Sequence, residues 1–281
     1  MYMAFIIPIY PPHYSYAKHI IDSIKESDIY FIFTNHNDFK LFPHRCNYII
    51  LEDFITQEQI EKIKNKTLFP SFKKLFGLSL LHGKYDYLCC IDAEVKVIKE
   101  PNLKNVYESK VVIGGLVGYN QDLPRNIIRQ SIYGLTPKST HEKLKKISYD
   151  CRFYSWWSSM PVYKGSTVPK FIDYIGFNRM NEFIDAHDWF FFDNLAYNYY
   201  CLLYEDFKQI VLPNIPHSLE FEGSDVIKKY LIHNIGWLNS MAYNANEDYY
   251  DSCKNIYMVY HIDRHKIPQQ KTQSFFSRIF K

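Results

Sequence analysis

The stretch Tyr85-Asp86-Tyr87-Leu88-Cys89-Cys90-Ile91-Asp92-Ala93-Glu94 decides how this chain reads. An apolar run of the kind that forms a strand buried on both faces stops abruptly at two carboxylates one residue apart. In an open parallel sheet, ligands gather outside the carboxyl ends of the strands, so Asp92 and Glu94 are expected at the rim. Residues i and i+2 of an extended chain point to one side. Both carboxylates can then face one hard cation, Mn2+ or Mg2+, with phosphate oxygens completing its shell. The plainer alternative is that the pair only solvates a strand end, since charged residues make up 22% of the chain.

Just upstream, Pro70-Ser71 opens a helix with Ser71 as its expected N-cap. Phe72, Leu75, Phe76 and Leu78 recur along it, and His82-Gly83 closes it. Helix, short turn, apolar strand and Asp-Ala-Glu, followed by Val95, Val97 and Ile98, resembles the Asp-x-Asp element of the GT-A nucleotide-sugar glycosyltransferases in a variant Asp-x-Glu form. The first half of the chain alternates strand and helix around this element. Strands are expected at Ala4 to Tyr10, Ile29 to Thr34 and Tyr48 to Leu51. Helices are expected over Tyr14, Ala17, Ile21 and Ile24, and from a Thr56 cap through Asn65. That rhythm predicts an α/β fold, a right-handed, doubly wound and mostly parallel sheet flanked by helices. The resemblance implies its GT-A, Rossmann-like form.

Beyond a further strand at Val111 to Val117 the pattern breaks. Residues 119–148, punctuated by Pro124, Gly134 and Pro137, read as an inserted lobe with short helices at Arg125 to Tyr133 and Ser139 to Ile147. A helix from Val168 to Ile175 capped by Thr167, an aromatic helix over Trp189 to Leu203, and strands at Gln209 to Leu212 and Ile256 to Tyr260 complete a single domain over residues 1–267. Residues 268–281 form a tail in which Phe275, Phe276, Ile279 and Phe280 share one helical face beside Lys271, Arg278 and Lys281. Such a segment can lie on an anionic membrane surface, or fold back, or stay disordered.

The first strand lies beside the metal strand in a sheet of this winding, so Pro8-Ile9-Tyr10 faces Asp92. The resemblance implies that this loop holds the nucleoside, with Tyr10 stacking on the base; Pro11-Pro12 stiffens it. No Walker loop and no Gly-x-Gly-x-x-Gly follows the first strand, which leaves phosphate to a metal. Lys73 and Lys74, one helix turn into the preceding helix, are candidates to hold diphosphate or ribose, although helical lysines are commonly solvated. The resemblance further implies a late histidine as third metal ligand, His261 with His265 or His233 as alternates; imidazole suits Mn2+ better than Mg2+. It also implies an acceptor-activating acid in His187-Asp188-Trp189-Phe190-Phe191-Phe192-Asp193-Asn194, with Asp188 first and Asp193 second, Asp188 being equally a good helix cap. Trp156 and Trp157 precede the stretch that resembles the segment lining the sugar and acceptor site; packing against the lobe would use their rings as well.

A net charge of +3 over 281 residues gives no argument for nucleic acid, and 25 Tyr with 21 Phe serve a core as readily as a sugar site. Cys46, Cys89, Cys90, Cys151, Cys201 and Cys253 show neither Cys-x-x-Cys nor zinc spacing, which reads as reduced thiols. With no secretory signal pattern, a cytoplasmic protein is expected, peripheral on the inner face of the plasma membrane if the tail anchors it. The expected activity is metal-dependent transfer of a sugar from a nucleoside diphosphate sugar to a hydroxyl of a glycan or lipid-linked saccharide, in bacterial surface glycan synthesis. The rivals are a nucleotidyltransferase acting on sugar phosphates and a non-catalytic carbohydrate-binding relative.

Overall fold

A computed structural model describes residues 1–64, 69–155, 161–186, 192–212, 237–240 and 257–261. The chain enters along β1 (Met3–Pro8) and passes through α1 (Tyr14–Ser23), β2 (Asp28–Phe33), α2 (His36–Lys40) and β3 (Asn47–Ile50). It then runs through α3 (Gln57–Lys64) and α4 (Phe69–Leu81) into β4 (Tyr87–Cys90). These four strands lie in the order β3-β2-β1-β4 and pair in parallel throughout. The order places the point where winding reverses between β1 and β4, the expected crevice of an open α/β sheet.

Apolar content explains the arrangement. Ala4, Phe5, Ile6 and Ile7 are all fully buried in β1, as are Phe31 to Phe33 in β2 and Leu88 and Cys89 in β4. Burial of each large side chain among these stabilises the fold by about 1.5–3 kcal/mol. Gly77 lets α4 lie close on the sheet, because a Cβ there would stand 2.7 Å from Ile6 Cγ2 and 3.2 Å from Ile32 Cδ1. Thr56 caps α3 reciprocally: its hydroxyl oxygen accepts from the Gln59 amide at 3.2 Å, and Gln59 Oε1 accepts from the Thr56 amide at 2.7 Å. Ser71 is not the cap of α4. The helix starts at Phe69, with Pro70 in the first turn where no amide hydrogen is needed.

Past β4 the chain turns into β5 (Val95–Lys99), α5 (Leu103–Glu108) and β6 (Val111–Leu116). The lobe follows, with α6 (Asp122–Arg129) running into one turn of π-helix at Gln130–Gly134, then α7 (His141–Ile147) and β7 (Phe153–Tyr154). Strand β8 (Val162–Lys164) joins the central sheet antiparallel to β4. Helices α8 (Val168–Tyr174), α9 (Met180–Ala186) and α10 (Asp193–Tyr204) and strand β9 (Lys208–Leu212) come next, then β10 (Trp237–Ser240) and β11 (Tyr257–His261). The molecule is therefore mixed α/β, with a mostly parallel central sheet flanked by helices and two small sheets, β7-β6-β9 and β10-β11-β5, beside it. Thr167 does not cap α8 with its side chain; its hydroxyl lies 3.4 Å from Glu205 Oε2 instead.

A large core encloses the central sheet, and a second one joins Val112, Ile113, Ile127, Ile128, Ile132, Leu144 and Phe153 to Leu195 and Tyr199 of α10. The lobe helices thus bury their apolar face against β6 and α10. No helix among the described residues is long and apolar enough to cross a membrane.

Candidate active site

Register brings the candidate residues together. Ile6 of β1 pairs with Cys90 of β4, and the Ile91 amide donates to the Ile6 carbonyl at 3.1 Å. The two strands therefore end side by side, one feeding Ile9-Tyr10 and the other Asp92-Ala93-Glu94. Pro8 is still part of β1 and is buried, pairing with Ile32, so its contribution is to end the strand rather than to face the crevice. Ala93-Glu94 forms a turn rather than an extended rim. The two carboxylates consequently take different partners.

Lys74 Nζ stands 2.6 Å from Asp92 Oδ1, with 14% of the lysine side chain and 36% of the aspartate side chain exposed. Burial works against the charge on Lys74, but Asp92 and then Asp193 outweigh it and hold its pKa above that of an ordinary lysine. Lys73 takes the opposite direction. It is fully buried, donates to the Ile9 carbonyl at 2.9 Å and lies 4.0 Å from the centre of the Tyr10 ring. An ammonium over an aromatic face is attracted by the ring quadrupole. Lys73 therefore braces the β1–α1 loop from beneath and does not reach toward a diphosphate.

Loss of solvent pushes the Lys73 ammonium down to about 7, a nearby Asp38 opposing it. An unfolded lysine titrates near about 10.4, so between these values the unfolded chain binds one more proton than the folded one. Stability should climb as pH rises from about 7 toward 10. Replacing Lys73 by Met should remove that climb, which denaturant melts of both proteins at pH 7 and pH 9 will show.

Tyr10 packs against Phe69, ring centres 5.9 Å apart, and meets His13 edge-on at 6.0 Å. Lys73, Phe69 and His13 together crowd its ring. Among the described residues its hydroxyl is buried without a hydrogen-bond partner. Burial raises its pKa and the charges of Asp92 and Glu94 raise it further. Buried hydroxyls in native proteins are nearly always paired, so this one stands out as an orphaned donor in the β1–α1 loop.

His13 Nδ1 lies 3.4 Å from Glu94 Oε2. Sequence reasoning passed over His13, although the strand adjacency that selected Tyr10 applies equally to the residue three positions on. Asp193, the first residue of α10, is 2% exposed and accepts a hydrogen bond from the Tyr163 hydroxyl at 2.7 Å. Burial raises its pKa, while Lys74, Tyr163 and Ser71 pull it back. An acid so enclosed does not present itself to an incoming hydroxyl. Instead, its charge joins that of Asp92 in favouring the ammonium form of Lys74.

Asp188, Trp156 and Trp157, the alternates His233 and His265, and the tail at 268–281 lie outside the described residues. Of His261 the backbone is described: it pairs with Val95 in the antiparallel β11–β5 ladder, one residue past Glu94. Among the described residues no group of three His, Cys, Asp or Glu converges on one point. The donor set still fits a hard divalent cation in kind, since Asp92 and Glu94 offer carboxylate oxygens one residue apart.

No family model and no curated protein matches this chain. Among solved structures, the apo crystal structure of mouse xyloside xylosyltransferase 1 superposes at a TM-score of 0.35 with 11% identity, covering 95% of this chain and 99% of that one. A likeness that loose carries no argument about what this chain does.

Proposed function

We propose that this domain is a glycosyltransferase that moves a sugar from a nucleoside diphosphate sugar to a hydroxyl of a glycan or lipid-linked saccharide. The observation that carries the reading is the adjacency of the β1 and β4 carboxyl ends, which sets the Lys74–Asp92 and His13–Glu94 pairs beside the β1–α1 loop. Asp92 and Glu94 would hold Mn2+ or Mg2+, with His261, whose backbone pairs with Val95, as the third ligand. When bound, such a cation supplies charge neutralisation to the departing diphosphate.

The remaining work falls to the chain itself. Lys74, fixed between two carboxylates, adds a positive charge that needs no reorganisation when negative charge develops on the leaving group. Tyr10, braced by Lys73, closes the nucleoside side of the crevice, and its hydroxyl donates to the donor. Asp188 takes the proton from the acceptor hydroxyl if the reaction inverts the anomeric centre.

The test is release of nucleoside diphosphate from a panel of nucleotide sugars, with and without Mn2+ and with a mixed glycan acceptor. Metal-stimulated release that rises with acceptor is expected. Release of pyrophosphate from nucleoside triphosphate and sugar phosphate would instead establish a nucleotidyltransferase, and binding without turnover a carbohydrate-binding relative.

We further propose that the basic, aromatic tail at 268–281 docks on anionic membrane and brings the crevice to a lipid-linked acceptor. Deleting residues 270–281 should cut co-sedimentation with phosphatidylglycerol vesicles while activity on a soluble acceptor persists. Equal sedimentation of the two proteins would refute the anchor.

A further inference from the structure

Away from the β1–β4 crevice, the lobe carries a cleft of about 190 Å³ lined by Asp122, Arg125, Asn126, Arg129, Tyr133, Asp150 and Cys151. Five of these come from a single side of α6 and its π-helical extension, at successive spacings of three, one, three and four residues. The opposite wall is the turn after α7.

That wall is costly to build. Tyr149, Asp150 and Cys151 have φ of 49°, 57° and 61°, three consecutive non-glycine residues in the left-handed region. Each costs roughly 1–2 kcal/mol relative to the right-handed conformation. The surrounding hydrogen bonds hold the turn: the Asp150 amide donates to the Lys145 carbonyl at 3.0 Å, and the Cys151 amide to Ser148 Oγ at 3.0 Å. Residues kept in sparsely populated conformations gather at ligand sites, where the surrounding structure over-determines them.

The charges in the cleft balance, with two arginines against two aspartates. Arg125 Nη2 lies 3.5 Å from Asp150 Oδ2, and its Nη1 donates to the Tyr119 carbonyl at 3.3 Å. Among the described residues its Nε is buried without a partner. Donors that are already half engaged by carboxylates do not form a site for a free anion. Paired carboxylates, guanidinium groups and an amide do suit vicinal hydroxyls, which donate and accept at once. Tyr133, whose ring also packs against His141 at 4.9 Å between centres, adds an aromatic side chain to the lining. At about 190 Å³ the cleft lies below the roughly 300–1,000 Å³ of pockets that take drug-sized ligands, a size that suits one sugar ring.

We infer that the lobe cleft binds one neutral pyranose unit, held between the Arg125–Asp150 pair and the Asp122, Asn126 and Arg129 side chains. Its role as the seat for a non-reacting sugar of the acceptor rests on the glycosyltransferase reading; its ligand class does not.

Saturation-transfer NMR on the full chain tests this with methyl glucopyranoside, methyl galactopyranoside and methyl mannopyranoside as neutral probes, and methyl glucuronide and inorganic phosphate as anionic ones. At least one neutral glycoside should show ring-proton saturation that falls five-fold or more in Arg129→Gln and in Asp150→Asn. Both positions are solvent-facing, and asparagine keeps the left-handed backbone accessible. Circular dichroism on each variant checks the fold. No saturation of any neutral glycoside, saturation of the anionic probes alone, or unchanged binding in both variants would each overturn the assignment. Mn2+-supported nucleoside diphosphate binding by the same wild-type sample reads the donor crevice separately, so failure of one reading is not mistaken for failure of the other.

Discussion

Replacing Lys74 by Met should lower turnover at least about 100-fold, equivalent to about 2.7 kcal/mol of transition-state stabilisation. The ammonium at 2.6 Å from Asp92 is the positive charge on which both Asp92 and the buried Asp193 depend. Its loss leaves the charges of Asp92 and Asp193 without the cation that offsets both and removes a positive charge that the proposal places beside the leaving diphosphate. Nucleoside diphosphate affinity should fall with turnover. Lys74→Arg should recover part of both, because charge returns but the larger planar fork does not occupy the same position. A Lys74→Met protein that turns over at the wild-type rate would remove Lys74 from the site.

Asp193 should behave as a positioning residue and a fold determinant. Asp193→Ala leaves the fully buried Tyr163 hydroxyl without its acceptor, a penalty of about 1–3 kcal/mol, and takes from Lys74 its inner partner. Asp193→Asn keeps an oxygen for Tyr163 and should melt near wild type. It should nevertheless raise KM for the donor, since Lys74 then leans on Asp92 alone. Were Asp193 the base that activates the acceptor, Asn would instead depress kcat with nucleotide affinity intact. The pair of variants, followed by thermal melts and initial-rate kinetics, separates the two roles.

The parallel strands and α4 were legible because their apolar periodicities are strong and short turns separate them. Asp92 and Glu94 were legible at the end of β4 for the same reason, an apolar run that stops. What the residues could not show is how the rim bends: Asp92-Ala93-Glu94 turns, and the two acids part toward Lys74 and His13 rather than pointing together along a straight strand. Adjacent lysines on a helix diverge by about 100°, and only packing decides which goes inward. Phe69, Lys73, Phe76 and Gly77 share the face that meets the sheet, so Lys73 is buried and Lys74 is left at the crevice. In sequence Asp193 reads as the second candidate acid, within an aromatic helix; its burial depends on Tyr163 of β8, a strand whose antiparallel place beside β4 no local pattern announces.

The central claim is that Asp92 and Glu94 form a cation site that holds a nucleoside diphosphate. Calorimetric titration of a set of nucleoside diphosphates into the wild-type protein, in Mn2+ and in EDTA, tests it most directly. Binding that requires Mn2+ and weakens at least about ten-fold, about 1.4 kcal/mol, in both Asp92→Asn and Glu94→Gln is the expected result. Mn2+-supported binding that is equal in the wild type and both variants would contradict the account.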